Sequence, residues 1–133
     1  QPSCMLPDTT TIEQRDNIVY WENTDFQISI DEATAIRDRV IELLDRPGVD
    51  GVLVDNEDSS GTWPNEVDEV WSDLMGEIYQ RGSDCATVSP NATNAIHINR
   101  LSRDNDTDDK IKAFRPDERE EAFEFVGAQS QRV

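Results

Sequence analysis

The sequence predicts an α/β fold: an N-terminal β-hairpin, then alternating α/β elements forming a mixed, mostly parallel sheet with about four helices. Three observations carry this expectation. NIVYWE, residues 17–22, alternates and is rich in β-branched and aromatic side chains, as strands are. DGVLVD, residues 50–55, is a short continuous apolar run, the mark of a central strand covered on both faces. Downstream, single helical segments separate the strands, so consecutive strands are expected to pair in parallel through right-handed crossovers.

Taken in order, the 17–22 strand is followed by Asn23-Thr24-Asp25, residues with turn chemistry. Phe26, Ile28 and Ile30 then fall on one face of a second strand, which completes the predicted hairpin. Asp31 is placed to cap a helix over 32–46, where Ala33, Ile36, Val40 and Leu44 recur at helical spacing before Pro47-Gly48. After the 50–55 strand and a polar loop, Pro64 suits a first helical turn. Val67, Val70, Trp71, Leu74 and Ile78 make the apolar stripe of a helix that ends near Gly82. A strand at 85–89, a helix over 92–103, a short strand at 111–114 and a helix from Pro116 to Gly127 complete the chain. A chain of 133 residues suits one domain, expected over 16–128 with tails at 1–15 and 129–133.

Charge is the strongest compositional signal. Twenty-nine acids face twelve bases, ten of them arginines, for a net charge of −17. Such a charge repels nucleic acid and anionic membrane, so neither is an expected partner. Periodic apolar residues argue against disorder, and a surface made for high salt explains the acids, because the Debye length falls to about 3 Å at 1 M. This Lys-poor surface resembles salt-adapted archaeal cytoplasmic proteins. No apolar stretch is long enough to span a bilayer, and QPSCMLPDTT lacks the regions of a signal peptide. Cys4 in the tail and Cys85 in a strand are not expected to pair, which fits a reducing cytoplasm. Residues 1–99 carry five bases and 20 acids, whereas residues 100–115 carry five bases and four acids. Arg100, Arg103, Lys110, Lys112 and Arg115 therefore form either a set of internal ion pairs or a landing point for an acidic partner.

The element order, VLVDNEDSSG before an amphipathic helix, and RGSDCATVSPNATNAIHINRL over the next strand and helix resemble a STAS-like domain. This is the fold of the bacterial anti-sigma-factor antagonists, and the resemblance covers roughly residues 16–127. In that family a serine or threonine of an Asp-Ser-Ser-Gly or Asp-Ser/Thr-Gly loop is phosphorylated by a partner kinase, which releases the partner. Carried over, the resemblance implies Ser59, or its neighbour Ser60, as phospho-acceptor, with Asp58 before it and Gly61 turning the backbone. Thr62-Trp63 separate this tetrad from Pro64, which places the serines outside the helix start. The likeness is closest to diverged members with VDN, polar residues and then W-P-x-E-V, for which the family implies a fold rather than an activity.

The resulting expectation is a non-enzymatic regulatory or protein-binding module, with a protein partner or a second copy of itself on the surface formed by the 56–64 loop, the start of the next helix and the 89–95 turn. Trp63 is the candidate anchor there, or else a staple fixing the helix start to the core. The alternative is a small polar or anionic ligand at the strand C-termini, held by Asp55, Asn56, Ser89 and Asn91. A third reading is a receiver-like phospho-acceptor domain built on Asp55, a Thr87 or Ser89 hydroxyl and Lys112, but the acidic pair needed for Mg²⁺ does not follow the first strand.

No catalytic residue, metal site or cofactor site is expected. His97 is the only histidine, so no conventional His-based triad can form. The Asp104, Asp106, Asp108 series fails as a calcium loop, because its sixth and twelfth positions are Asp109 and Arg115. Asp-Ser-Ser-Gly also lacks the glycine spacing and the lysine of a P-loop.

Overall fold

The computed structural model describes residues 9–59 and 63–127. Two strands, β1 (Thr10–Arg15) and β2 (Ile18–Asn23), form an antiparallel hairpin through Asp16-Asn17, with Asp16 in the left-handed region at φ 54°. Then follow α1 (Ile30–Leu44), β3 (Gly51–Asp55), α2 (Val67–Gln80), β4 (Asp84–Val88), α3 (Ala92–Asp104), β5 (Ile111–Phe114), a 3-10 turn at Pro116–Glu118 and α4 (Arg119–Phe125). The sheet order is β1-β2-β3-β4-β5, with every pair after the hairpin parallel.

The predicted hairpin is corrected by one strand. Residues 17–22 are the second strand of the pair, and the first is β1, inside the expected tail 1–15. β1 was hard to read because Ile12 is its one large apolar residue. Residues 26–29 are not a strand; Phe26 and Ile28 still enter the core, which explains their alternation. The Asp25 carboxylate accepts the Gln27 N–H at 2.9 Å, and the chain turns directly into α1. Ser29, not Asp31, caps that helix. Its hydroxyl accepts the Glu32 N–H at 3.1 Å while Glu32 accepts the Ser29 N–H at 2.9 Å, a reciprocal box. Pro64 also lies outside the regular helix: it opens a turn whose carbonyl accepts the Val67 N–H, and α2 begins at Val67.

Because the parallel strands are added in chain order, the crossovers α1, α2 and α3 all cover one face. Val19, Trp21, Val52, Val54, Cys85 and Ile111 meet Ile36, Val40, Leu74, Ile78 and Ile98 there. The other face presents Ile18, Tyr20, Leu53, Ala86 and Val88 to Ala122, Phe123 and Val126 of the α4 segment. β3 is buried along its whole length. At its start Gly51 is required by space, since a Cβ would lie 2.9 Å from the Asp84 carbonyl oxygen and 3.3 Å from the Val126 side chain. Among the described residues, no helix is long and apolar enough to cross a membrane.

Candidate functional site

The parallel strands all end at the same edge of the sheet, and polar side chains gather there on both faces. Between the faces, Asn23 at the end of β2 is a buried hub. Its Oδ1 accepts from Thr10 Oγ1 at 2.8 Å and from the Trp21 indole at 2.9 Å, and its Nδ2 donates to Asn56 Oδ1 at 2.8 Å. Ser59 closes the hub by donating its hydroxyl to the Asn23 carbonyl at 2.7 Å. The loop after β3 is thereby tied to β2, and Ser59 is only 7% exposed. Its hydroxyl is thus enclosed and engaged, not presented. Ser60 and Gly61 lie outside the described residues, while Asp58 is exposed at the loop surface.

On the α4 face, Asp55 ends β3 beneath a charge network. It accepts from the Tyr20 hydroxyl at 2.6 Å, from Arg119 at 2.8 Å and from the Glu57 N–H at 3.2 Å; Arg119 also donates to Glu57 at 2.6 Å. Burial pushes the Asp55 carboxyl up, but the hydrogen bonds from Tyr20 and Arg119 prevail and hold it below the usual carboxylate range. Burial and the bond to Asp55 push the Tyr20 phenol up. Asp55 is committed to holding α4 against the sheet. It faces the opposite side from Thr87, which lines the interior beneath α1–α3, so the receiver-type trio is not assembled.

On the α1–α3 face, a cleft of about 480 Å³ opens between the loop after β3 and the start of α3. Its walls are Phe26, Ser59, Trp63, Asn65 and Asp68 on one side and Pro90, Asn91, Thr93, Asn94 and His97 on the other. Trp63 is half-buried and packs edge-on against Phe26, with ring centroids 5.0 Å apart, and against Trp71 at 6.1 Å. Its indole N–H donates to Asp68 Oδ1 at 2.6 Å, and His97 Nε2 lies 3.4 Å from the same oxygen. Asn91 caps α3 by accepting the Asn94 N–H at 2.8 Å. Among the described residues, two buried polar atoms have no partner: the Oδ1 of Asn94, a cleft-wall residue, and the hydroxyl of Ser89, which is fully buried where β4 ends.

Of the residues singled out by sequence, Ser59, Trp63 and Asn91 share this cleft, whereas Asp55, Asn56 and Ser89 do not line it. Of the four residues expected to converge on one ligand, Asn91 alone lines this cleft, while Asp55, Asn56 and Ser89 lie elsewhere at the strand ends. Asp68, Asn94, His97 and Phe26 were missed as site residues. For Asn94 and His97 the available signal was their spacing with Asn91 along one face of α3, whereas no local pattern marks Asp68 or Phe26. The basic segment is divided: Lys110 pairs with Asp84 at 3.8 Å and Arg115 with Glu118 at 3.5 Å, while Arg100, Arg103 and Lys112 are exposed without an ion pair among the described residues. Burial pushes the Cys85 thiol up to about 12, which leaves it inert. No group of histidine, cysteine and acidic residues that could hold a metal ion occurs among the described residues.

Fold and site together define an α/β domain with a mixed five-stranded sheet and a polar, aromatic-walled cleft beside its strand ends. No protein-family model matches the chain, and no curated protein matches it in sequence.

Proposed function

We propose that this chain is a non-enzymatic regulatory or binding domain of STAS-like type, working through the cleft between the loop after β3, the start of α2 and the turn into α3. One observation supports this above the others. Residues far apart in sequence, Phe26, then Ser59 with Trp63, Asn65 and Asp68, then residues 90–97, wall a single concavity at the strand ends, where ligands of parallel sheets usually bind. The hairpin followed by alternating helices and strands agrees with the STAS-like resemblance. The described cleft residues offer hydrogen-bonding and aromatic recognition groups. Cytoplasmic residence in a salt-rich cell belongs to the same proposal, supported by the acidic surface.

The test is affinity capture at high salt with two baits, the natural chain and an Asn65→Arg/Thr93→Arg double variant. Both positions are exposed on the cleft rim, so the fold should tolerate the change. A partner held by the natural chain and lost by the variant is the expected result. Equal retention by both, or a hydrogen-exchange footprint confined to α4, overturns the assignment of this surface.

A further inference from the structure

We propose that the cleft binds a small organic cation, an alkylammonium or guanidinium group, either as a free molecule or as the side chain of a peptide. The inference rests on the cleft being the working surface, and it names what the cleft takes.

Asn94, a residue of the cleft wall, carries a buried acceptor with no donor among the described residues. Asn94 Oδ1 is buried and unpartnered, while the residue's backbone N–H is held by Asn91 at 2.8 Å, so the side chain leaves from an anchored turn. A buried oxygen of this kind is unfavourable until a donor reaches it. Across the cleft, Asp68 carries the formal negative charge. Its Oδ1 is engaged by Trp63 at 2.6 Å and faced by His97 at 3.4 Å, whereas its Oδ2 accepts no hydrogen bond among the described residues. Those contacts fix the carboxylate at the cleft wall with one oxygen available. Phe26, Trp63 and His97 supply aromatic surface to the same cleft, and an indole face attracts a cation.

An anion is disfavoured by the same wall. The first turn of α3 attracts negative charge, but Asn91 already caps it, and among the described residues no lysine or arginine lines the cleft. An incoming carboxylate or phosphate would meet Asp68, and a chain of net charge −17 gathers cations, not anions. The cleft volume of about 480 Å³ accommodates the head group and its stem.

The experiment is an NMR titration of the intact chain near neutral pH, reading the Asn94 side-chain amide and the Trp63 indole N–H. Probes are n-butylammonium, methylguanidinium, N-acetyl-arginine methylamide, neutral propylurea and butyrate. Both resonances should shift saturably with the cations, more weakly with propylurea and not with butyrate. Asp68→Asn, which keeps the shape and an acceptor for Trp63, should weaken the cations about tenfold. Peptide-like arginine binding about tenfold tighter than methylguanidinium identifies a protein side chain as the source; equal binding identifies a free cation. Butyrate binding best, unchanged affinity in Asp68→Asn, or no saturable shift with any cation overturns the proposal. If cations fail while partner capture still depends on Asn65 and Thr93, the binding surface stands and only the ligand class falls.

Discussion

Arg119, in the first turn of the last helix, donates to Asp55 at 2.8 Å across a sequence separation of 64 residues. The contact couples the end of the central strand to α4, and the Tyr20 hydroxyl completes it from β2. The Asp55 side chain is 9% exposed and that of Arg119 is 39% exposed, so the value of the contact lies mainly in what happens to Asp55 without it. Arg119→Ala leaves a buried carboxylate short of its cation and should cost about 2 kcal/mol, read as a lower urea midpoint at fixed salt. An Asp55→Asn/Arg119→Ala double variant should lose less than the sum of the two single variants.

The same network sets a pH dependence at both ends. Asp55 has a folded value below its unfolded 3.8, so its contribution is present above 3.8 and lost as pH falls through the folded value. Tyr20 is raised above its unfolded 10.0, so its contribution is present below 10.0 and lost as pH rises through the folded value. Melting temperature against pH should therefore fall at both extremes. Asp55→Asn should flatten the acid limb, and Tyr20→Phe the alkaline one.

Gly51→Ala should destabilise by roughly 2–3 kcal/mol, because its methyl would sit 2.9 Å from a backbone oxygen of the neighbouring strand. Gly76→Ala is the control: nothing lies within 4 Å of a Cβ on that helical glycine, and the change should stabilise by about 0.5–1 kcal/mol. Chemical denaturation of both variants checks the contrast.

Two buried serines should respond with opposite sign. Ser59→Ala removes the 2.7 Å bond that ties the loop to Asn23 and should cost about 1 kcal/mol. Ser89→Ala deletes a buried hydroxyl that has no partner among the described residues and should be neutral or stabilising by up to about 1 kcal/mol. Equilibrium urea unfolding of the two variants distinguishes them.

Salt should stabilise this chain. A net charge of −17 on one small domain is a source of self-repulsion that added ions screen. The melting temperature is expected to rise by on the order of 10 °C between about 0.1 M and about 2 M potassium chloride. A flat or falling profile would separate the acidic composition from any adaptation to salt.

Element order and most helix positions were legible because their apolar periods are strong, as in α2 from Val67 to Ile78. The hairpin was misplaced by one strand because TTIEQR offers one large apolar side chain, whereas Phe26 and Ile28 alternate as a strand would without pairing as one. Trp63 and Asn91, singled out from their places beside strand ends, do lie in the cleft wall. Asp68 was not legible, because its contact with His97 joins two helices and no local pattern announces it.

What the sequence by itself determined is the alternation of strands and helices, the acidic surface and the edge of the sheet where polar residues collect. These follow from local periodicity and composition. Tertiary structure decided which face each polar residue serves. GVLVD is buried on both sides and shows no alternation, so nothing local tells that Asp55 turns to Arg119 under α4. Parallel crossovers on one face decided the rest, by laying α2 beside α3 and closing a cleft between Trp63 and Asn94.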